Sequence, residues 1–267
     1  MMKVYISVDI EGITGTTYWK ECEQGNLQYE QPVLQMTKEA LAAVQGALDA
    51  GADEILLRDA HNSAANIDMS VFPEQVRIIR GWSGDPYGMV ERIDSTFDAV
   101  FFVGYHSPAG GDGNPLSHTM STKPYHITIN GVETSEFIMF SYAAASVGVP
   151  TTFLSGDEKL CEMGKDIHPG LHTVGVKKGF GGTTENLSPE RSLKLIREQA
   201  AASLRQDLPA AKIKLPKHFD VKIVFRSHLD AYRKQFYPGM TMEDPHTLRF
   251  NTDVYYEVLR MLEFVIL

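Results

Sequence analysis

Cysteine is scarce in this chain. Its 267 residues include two, Cys22 and Cys161. Neither lies in a CxxC pair, so neither a disulfide framework nor a cysteine-rich zinc site is indicated. No apolar run is long enough to span a bilayer, so no membrane partner is expected. The N-terminus enters a strand at once, without a basic n-region, a long apolar h-region or a cleavage site. With the sparse cysteines this leads to the expectation of a cytoplasmic protein. No cluster of lysine and arginine stands out and the formal net charge is −9, which argues against nucleic acid as a partner. The GxxxxGK[ST] phosphate loop, GxGxxG after a strand, the GxSxG of serine hydrolases and the HExxH of zincins are all missing. What is present is ordinary for a soluble globular chain: 43% hydrophobic and 22% charged residues, at a length that suits one large domain or two smaller ones.

Residues 3–12 open the chain with an apolar run free of turn residues, which reads as a buried strand. Asp9 and Glu11 stand at its exit, two apart, so an extended backbone points both to the same face. Buried acids need a partner, a hydrogen bond or a metal. The alternative is a turn with both acids solvated. A helix is expected over 31–50, with Pro32 in its first turn, Leu34, Leu41, Val44 and Leu48 on one face and Gly51 as its stop. A strand over 54–58 completes a parallel βαβ unit. Further strands are expected over 76–79, 98–104 and 150–154, a hairpin over 125–132 turning at Asn130-Gly131, and a helix over 135–147. Beyond about residue 170 the pattern changes to a strand over 173–177, a helix over 188–205 opened by Ser188-Pro189-Glu190, strands over 221–225 and 248–250 and a helix over 252–264. The expected fold is α/β: a three-layer, mainly parallel sheet with helices on both faces, plus a smaller α+β C-terminal region. The expected division is a metal-binding catalytic domain over 1–170 and a smaller α+β domain over 171–267.

Ligands of open parallel sheets bind outside the carboxyl ends of the strands. Asp9, Glu11, His61 and His106 all fall at such exits, and Glu136 at a helix start nearby. Two imidazoles and three carboxylates suit zinc, or manganese or cobalt. Each has a blander reading: a lone strand-exit histidine is commonly a hydrogen-bonded loop residue, and Glu136 a helix N-terminal acid favoured by the dipole. Their joint appearance at one edge favours metal. The glycine-rich stretches 110–113 and 179–182 match no phosphate-binding pattern. The loop over 107–117, rich in Gly and Pro, is a good active-site wall.

Five short motifs then line up in order: Ser7-Val-Asp-Ile-Glu-Gly12, Asp59-Ala-His61, Gly104-Tyr-His106, Ser117-His-Thr-Met120 and the stretch from Ile129-Asn130 to Glu136. In these the sequence resembles the DppA-type D-aminopeptidases, peptidase family M55, densely up to about residue 157 and more loosely to the end. The resemblance implies a binuclear zinc aminopeptidase that removes the N-terminal residue of short peptides, with D-residues among its substrates. It implies two zinc ions per subunit: Asp9 bridging both, Glu11 and His106 completing one, His61 and Glu136 the other. His118 aligns with the family's catalytic histidine, for which a general acid/base or oxyanion-orienting role is preferred here over a nucleophilic one. A homodecameric ring with the sites facing an inner cavity is implied too. Two departures stand out: the family's Asp-Ser-His reads Asp-Ala-His here, and the loop before His118 differs, which puts substrate preference in doubt. The competing readings are another binuclear metallohydrolase, such as a deacylase, a phosphoesterase or an L-specific aminopeptidase, and a dipeptide-binding protein.

Overall fold

The computed structural model describes residues 1–168 and 170–267. Twelve strands and six helices are described. In chain order they are β1 (Met2–Val8), α1 (Glu30–Asp49), β2 (Ala52–Asp59), β3 (Val76–Ile79), β4 (Ala99–Tyr105), β5 (Pro124–Ile129), β6 (Val132–Glu133), α2 (Glu136–Ser146), β7 (Thr151–Asp157) and α3 (Glu158–Ile167). After them come β8 (His172–Phe180), β9 (Thr183–Asn186), α4 (Pro189–Ser203), β10 (Phe219–Phe225), α5 (His228–Lys234), β11 (Met240–Asp244), β12 (Thr247–Thr252) and α6 (Tyr255–Ile266).

Seven strands form the main sheet in the order β3-β2-β1-β4-β7-β8-β9, parallel except for β9. Alternation along the central strands sorts their side chains between two faces. Val4, Ile6 and Val8 of β1 and Phe101 and Val103 of β4 pack with α1 and α4. Tyr5, Val100 and Phe102 point the other way, into a core with α2, α3 and α6. The expected α/β class with helices on both faces is what is seen. Behind α2 and α6 lies a five-stranded antiparallel sheet, β11-β12-β10-β5-β6. Its β10 buries every second residue, Phe219, Val221, Ile223 and Phe225, against the same core.

The sheets draw strands from both sides of residue 170. β8 and β9 follow that position yet extend the main sheet, whereas β5 and β6 precede it yet join the second sheet. The reason is hydrogen bonding: β8 pairs in parallel with the edge of β7, and β5 pairs antiparallel with the edge of β10. Among the described residues, no helix is long and apolar enough to cross a membrane.

The strand order reverses between β1 and β4, because β1 leads outward to β2 and β3 and the chain then returns to β1's other side. That is where an open α/β sheet has its crevice. Two glycines close it tightly. A Cβ on Gly12 would sit 1.7 Å from the Tyr105 carbonyl oxygen, and one on Gly104, at φ +73°, 2.3 Å from that of Asp9. With only hydrogens there, Asp9 N donates to Val103 O and Gly12 N to Gly104 O, both at 2.8 Å. The backbone carrying Asp9 and Glu11 is thereby clamped to the end of β4.

α1 carries an anomaly on its buried face, Glu39, which has no exposed surface. Its Oε1 accepts from Thr14 N (3.1 Å), Gln35 Nε2 (3.0 Å) and Ser192 Oγ (3.2 Å), while Oε2 has no partner among the described residues. Burial outweighs these bonds and pushes the carboxyl up from 4.5 to about 7. The unfolded chain ionises above about 4.5 and the folded chain above about 7, so ionisation works progressively against the fold between those values. The gap corresponds to about 3 kcal/mol. Glu39→Gln is therefore expected to raise the melting temperature by a few degrees at pH 8 and to change it little near pH 4.5, read by thermal melts across pH.

Candidate metal centre

Asp9, Glu11, His61, His106 and Glu136 converge on the crevice, each at most 6% exposed. The turn after β1 brings Asp9 and Glu11, the exit of β2 brings His61, the exit of β4 brings His106, and the first turn of α2 brings Glu136. Ser135 caps α2, its hydroxyl accepting from Ile138 N, which fixes where Glu136 emerges.

The histidine tautomers follow from the hydrogen bonds. His61 Nε2 donates to Cys22 O (2.6 Å), so Nδ1 presents its lone pair to Asp9 Oδ1 at 3.3 Å and Glu11 Oε2 at 3.1 Å. His106 Nδ1 donates to Ser107 O (3.0 Å), leaving Nε2 facing Asp9 Oδ2 and Glu136 Oε2, each at 3.5 Å. His118 Nδ1 donates to Leu116 O (2.9 Å), leaving Nε2 3.7 Å from Glu136 Oε1. A lone pair aimed at a carboxylate oxygen repels it unless a proton or a metal ion lies between them. A backbone carbonyl holding the far ring nitrogen is also the usual support of a metal-bound histidine. Glu11 Oε2 and His106 Nε2 are buried with no hydrogen-bond partner among the described residues. The donor set fits divalent ions with nitrogen and oxygen ligands.

Electrostatics lead to the same place. Burial, then the Glu11 carboxylate, pushes Asp9 up to about 8. Burial disfavours a charged imidazole at His106, yet Glu136 and Asp9 override it and raise the ring to about 10. His61 is raised well above its ordinary value: the two acids beside it again prevail over burial. The site demands positive charge, and metal ions would take the place of those protons.

Ligand atoms fall into two groups, Asp9, Glu11 and His61 in one and His106, His118 and Glu136 in the other. Asp9 spans them, one oxygen toward each. The pairing implied by the resemblance divides these residues differently: here Glu11 Oε2 is 3.1 Å from His61 Nδ1, and His106 Nε2 is 3.5 Å from Glu136 Oε2. His118 stacks on His106 (centroids 4.3 Å apart, planes at 8°), with Trp19 edge-on at 5.2 Å.

The family model Peptidase_M55, described as D-aminopeptidase, matches residues 2–264. The chain belongs to the M55 peptidase family. A D-aminopeptidase of Bacillus subtilis (strain 168) is 29% identical over 265 residues, covering 98% of this chain and 93% of the relative. Among solved structures, the Zn-dependent D-aminopeptidase DppA from Bacillus subtilis, a self-compartmentalizing protease, superposes with a TM-score of 0.91 at 27% identity, over 99% of this chain and 97% of that one.

In this M55 peptidase the ligand cluster forms one wall of a cavity of about 550 Å³. Several wall residues went unrecognised in the sequence. Trp19 and Trp82, the chain's two tryptophans, both line it. Trp82 is fixed there by Nε1 donating to Asn62 O (2.6 Å) and by the Arg58 guanidinium over its ring at 4.1 Å. Their rarity was a usable signal. Met120 gave none: its φ of +61° turns its backbone N–H onto Glu136 Oε1 at 2.6 Å.

Proposed function

We propose that this chain is a two-zinc D-aminopeptidase that releases the N-terminal residue of short peptides. The observation carrying the reading is the pair of ligand groups sharing Asp9 at the inner end of one cavity. Asp9, Glu11 and His61 would hold one ion; Asp9, His106 and Glu136 the other. Zinc supplies a Lewis acid for the scissile carbonyl and lowers the pKa of water toward neutrality. The chain's own residues do the rest. Glu136 is held by Met120 N–H and is thereby oriented. Trp19 and Trp82 border the cavity and would pack against the substrate. His118 Nε2, open toward the cluster, is placed to move a proton to the departing amine.

DppA's zinc dependence and the family's description support this reading. DppA's self-compartmentalizing character supports a homo-oligomer here, by the family resemblance a ring of ten. Protein purified without chelators is expected to carry about two zinc ions per chain. It should hydrolyse D-alanine p-nitroanilide faster than the L-isomer, and lose that activity on chelation and regain it with zinc. Absence of bound transition metal in active protein would overturn the reading. A monomer in light scattering would remove the ring.

A further inference from the structure

Behind the ligand cluster, three buried polar side chains that do not line the cavity join the segments bearing Glu11, His106 and His118. Asp157 ends β7. Its carboxylate accepts from Ser107 N and Ser107 Oγ, both at 2.6 Å, and from Leu160 N at 2.9 Å. Ser107 directly follows His106, and its own carbonyl orients the His106 ring. Asn114 reaches in two directions. Its Nδ2 donates to Glu11 O at 2.9 Å and lies 3.4 Å from Asp157 Oδ2. Its Oδ1 accepts from Leu116 N at 3.0 Å, and Leu116 O holds His118 Nδ1. Lys177, on β8, donates to the carbonyls of Glu11 and Thr16.

The glycine-rich stretches without a phosphate-binding pattern meet here. Gly179 N donates to Gly113 O at 3.0 Å. A Cβ on Gly113 would stand 2.4 Å from Ser107 Oγ, and one on Gly179 2.6 Å from Gly113 O. Only bare backbone lets the loop descend far enough for Asn114 to touch Glu11 and Asp157 together.

A buried carboxylate and a buried ammonium are unfavourable unless opposed in charge and hydrogen-bonded. Here each is hydrogen-bonded, Lys177 to the Glu11 and Thr16 carbonyls and Asp157 to Ser107 and Leu160, and most of these bonds end on backbone atoms of, or next to, residues of the site. We propose that Asp157, Asn114 and Lys177 are positioning residues that set Glu11, His106 and His118 in one geometry for metal binding and turnover, acting through backbone atoms and touching neither metal nor substrate. The proposal rests on the two-metal reading above.

The test is zinc retention in competition with a chromogenic chelator, with kcat and KM at saturating zinc, for wild type, Asn114→Ala and Ser203→Ala. Ser203 is buried on α4 and bonded to Thr152 and Ala200, away from this network. Asn114→Ala is expected to weaken zinc retention about 10- to 100-fold and to lower kcat more than it raises KM. Ser203→Ala should lower the melting temperature alone. If Asn114→Ala does not fold, Ser107→Ala and Lys177→Met are read in the same assays, with a several-fold loss of zinc retention expected. A folded variant with wild-type zinc retention and kcat, altered only in melting temperature, overturns the positioning role. Zinc-free wild-type protein that still hydrolyses peptides overturns the two-metal reading, and this proposal with it.

Discussion

Asp9→Ala is expected to strip both metal ions from the protein and to take peptide hydrolysis below detection. The reason is the way its two oxygens are shared. Oδ1 lies 3.3 Å from His61 Nδ1 and Oδ2 3.5 Å from His106 Nε2, so each oxygen serves a different ligand group. Among the described residues, Glu11 makes its one close histidine contact with His61, at 3.1 Å. Glu11→Ala is therefore expected to lose one ion preferentially and to retain about one per chain, consistent with a two-ion site in which a single carboxylate bridges. Metal per chain after dialysis against a weak chelator separates the cases. Equal loss from both variants would contradict the bridging role of Asp9. A second readout removes a trivial explanation. Burial and Glu11 hold the Asp9 carboxyl up at about 8, so its charge is unfavourable in the metal-free fold. Melting of the metal-free protein should then change little on substitution, while the stabilisation normally added by zinc disappears.

How much of this could be read from residues alone depended on what kind of interaction decided each feature. β1 and β2 were legible because burial on both faces leaves an apolar strand. α1 was legible as a helix, although of its expected stripe only Val44 is buried and Leu34 is exposed, the buried face running through Met36, Ala40, Ala43 and Ala47. Both patterns are local. The convergence of Asp9, Glu11, His61 and His106 was legible too, since parallel strands deliver their exits to one edge whatever their order. Strand order is non-local. Nothing within 172–180 states that β8 will pair with β7 in the main sheet, so the expected boundary at 170 followed composition where the sheets follow pairing. α3 was hidden because Asp157 is at once the last residue of β7 and the N-cap of the helix, accepting from Leu160 N, with no loop between them. Which candidate ligands stand side by side was hidden for a related reason. It depends on ring orientation, and each ring is bonded to a backbone carbonyl, of Cys22 or Ser107, a group present at every position of any sequence.

His118→Ala, by contrast, is expected to keep both metal ions and lose turnover by about 10²-fold or more. His118 stands at the boundary between ligand and catalyst. Its Nε2 is near enough to the second ligand group to be counted with it, but its closest carboxylate oxygen, on Glu136, is 3.7 Å away and Asp9 is not among its contacts. The ring is held from three sides: by Leu116 O at Nδ1, by the His106 face and by the edge of Trp19. Burial is the first cause that lowers its pKa below the ordinary value, which keeps the ring neutral with an open nitrogen at neutral pH. A neutral imidazole fixed in place and free at one nitrogen can take up a proton and return it, which is what release of an amine requires. Metal analysis beside steady-state kinetics distinguishes the roles. If His118→Ala retains about two ions, loses kcat with KM little changed and regains part of its rate with added imidazole, the proton-transfer role stands. If one ion departs with the side chain, His118 is a third ligand beside His106 and Glu136, and the proton must reach the leaving amine by another group.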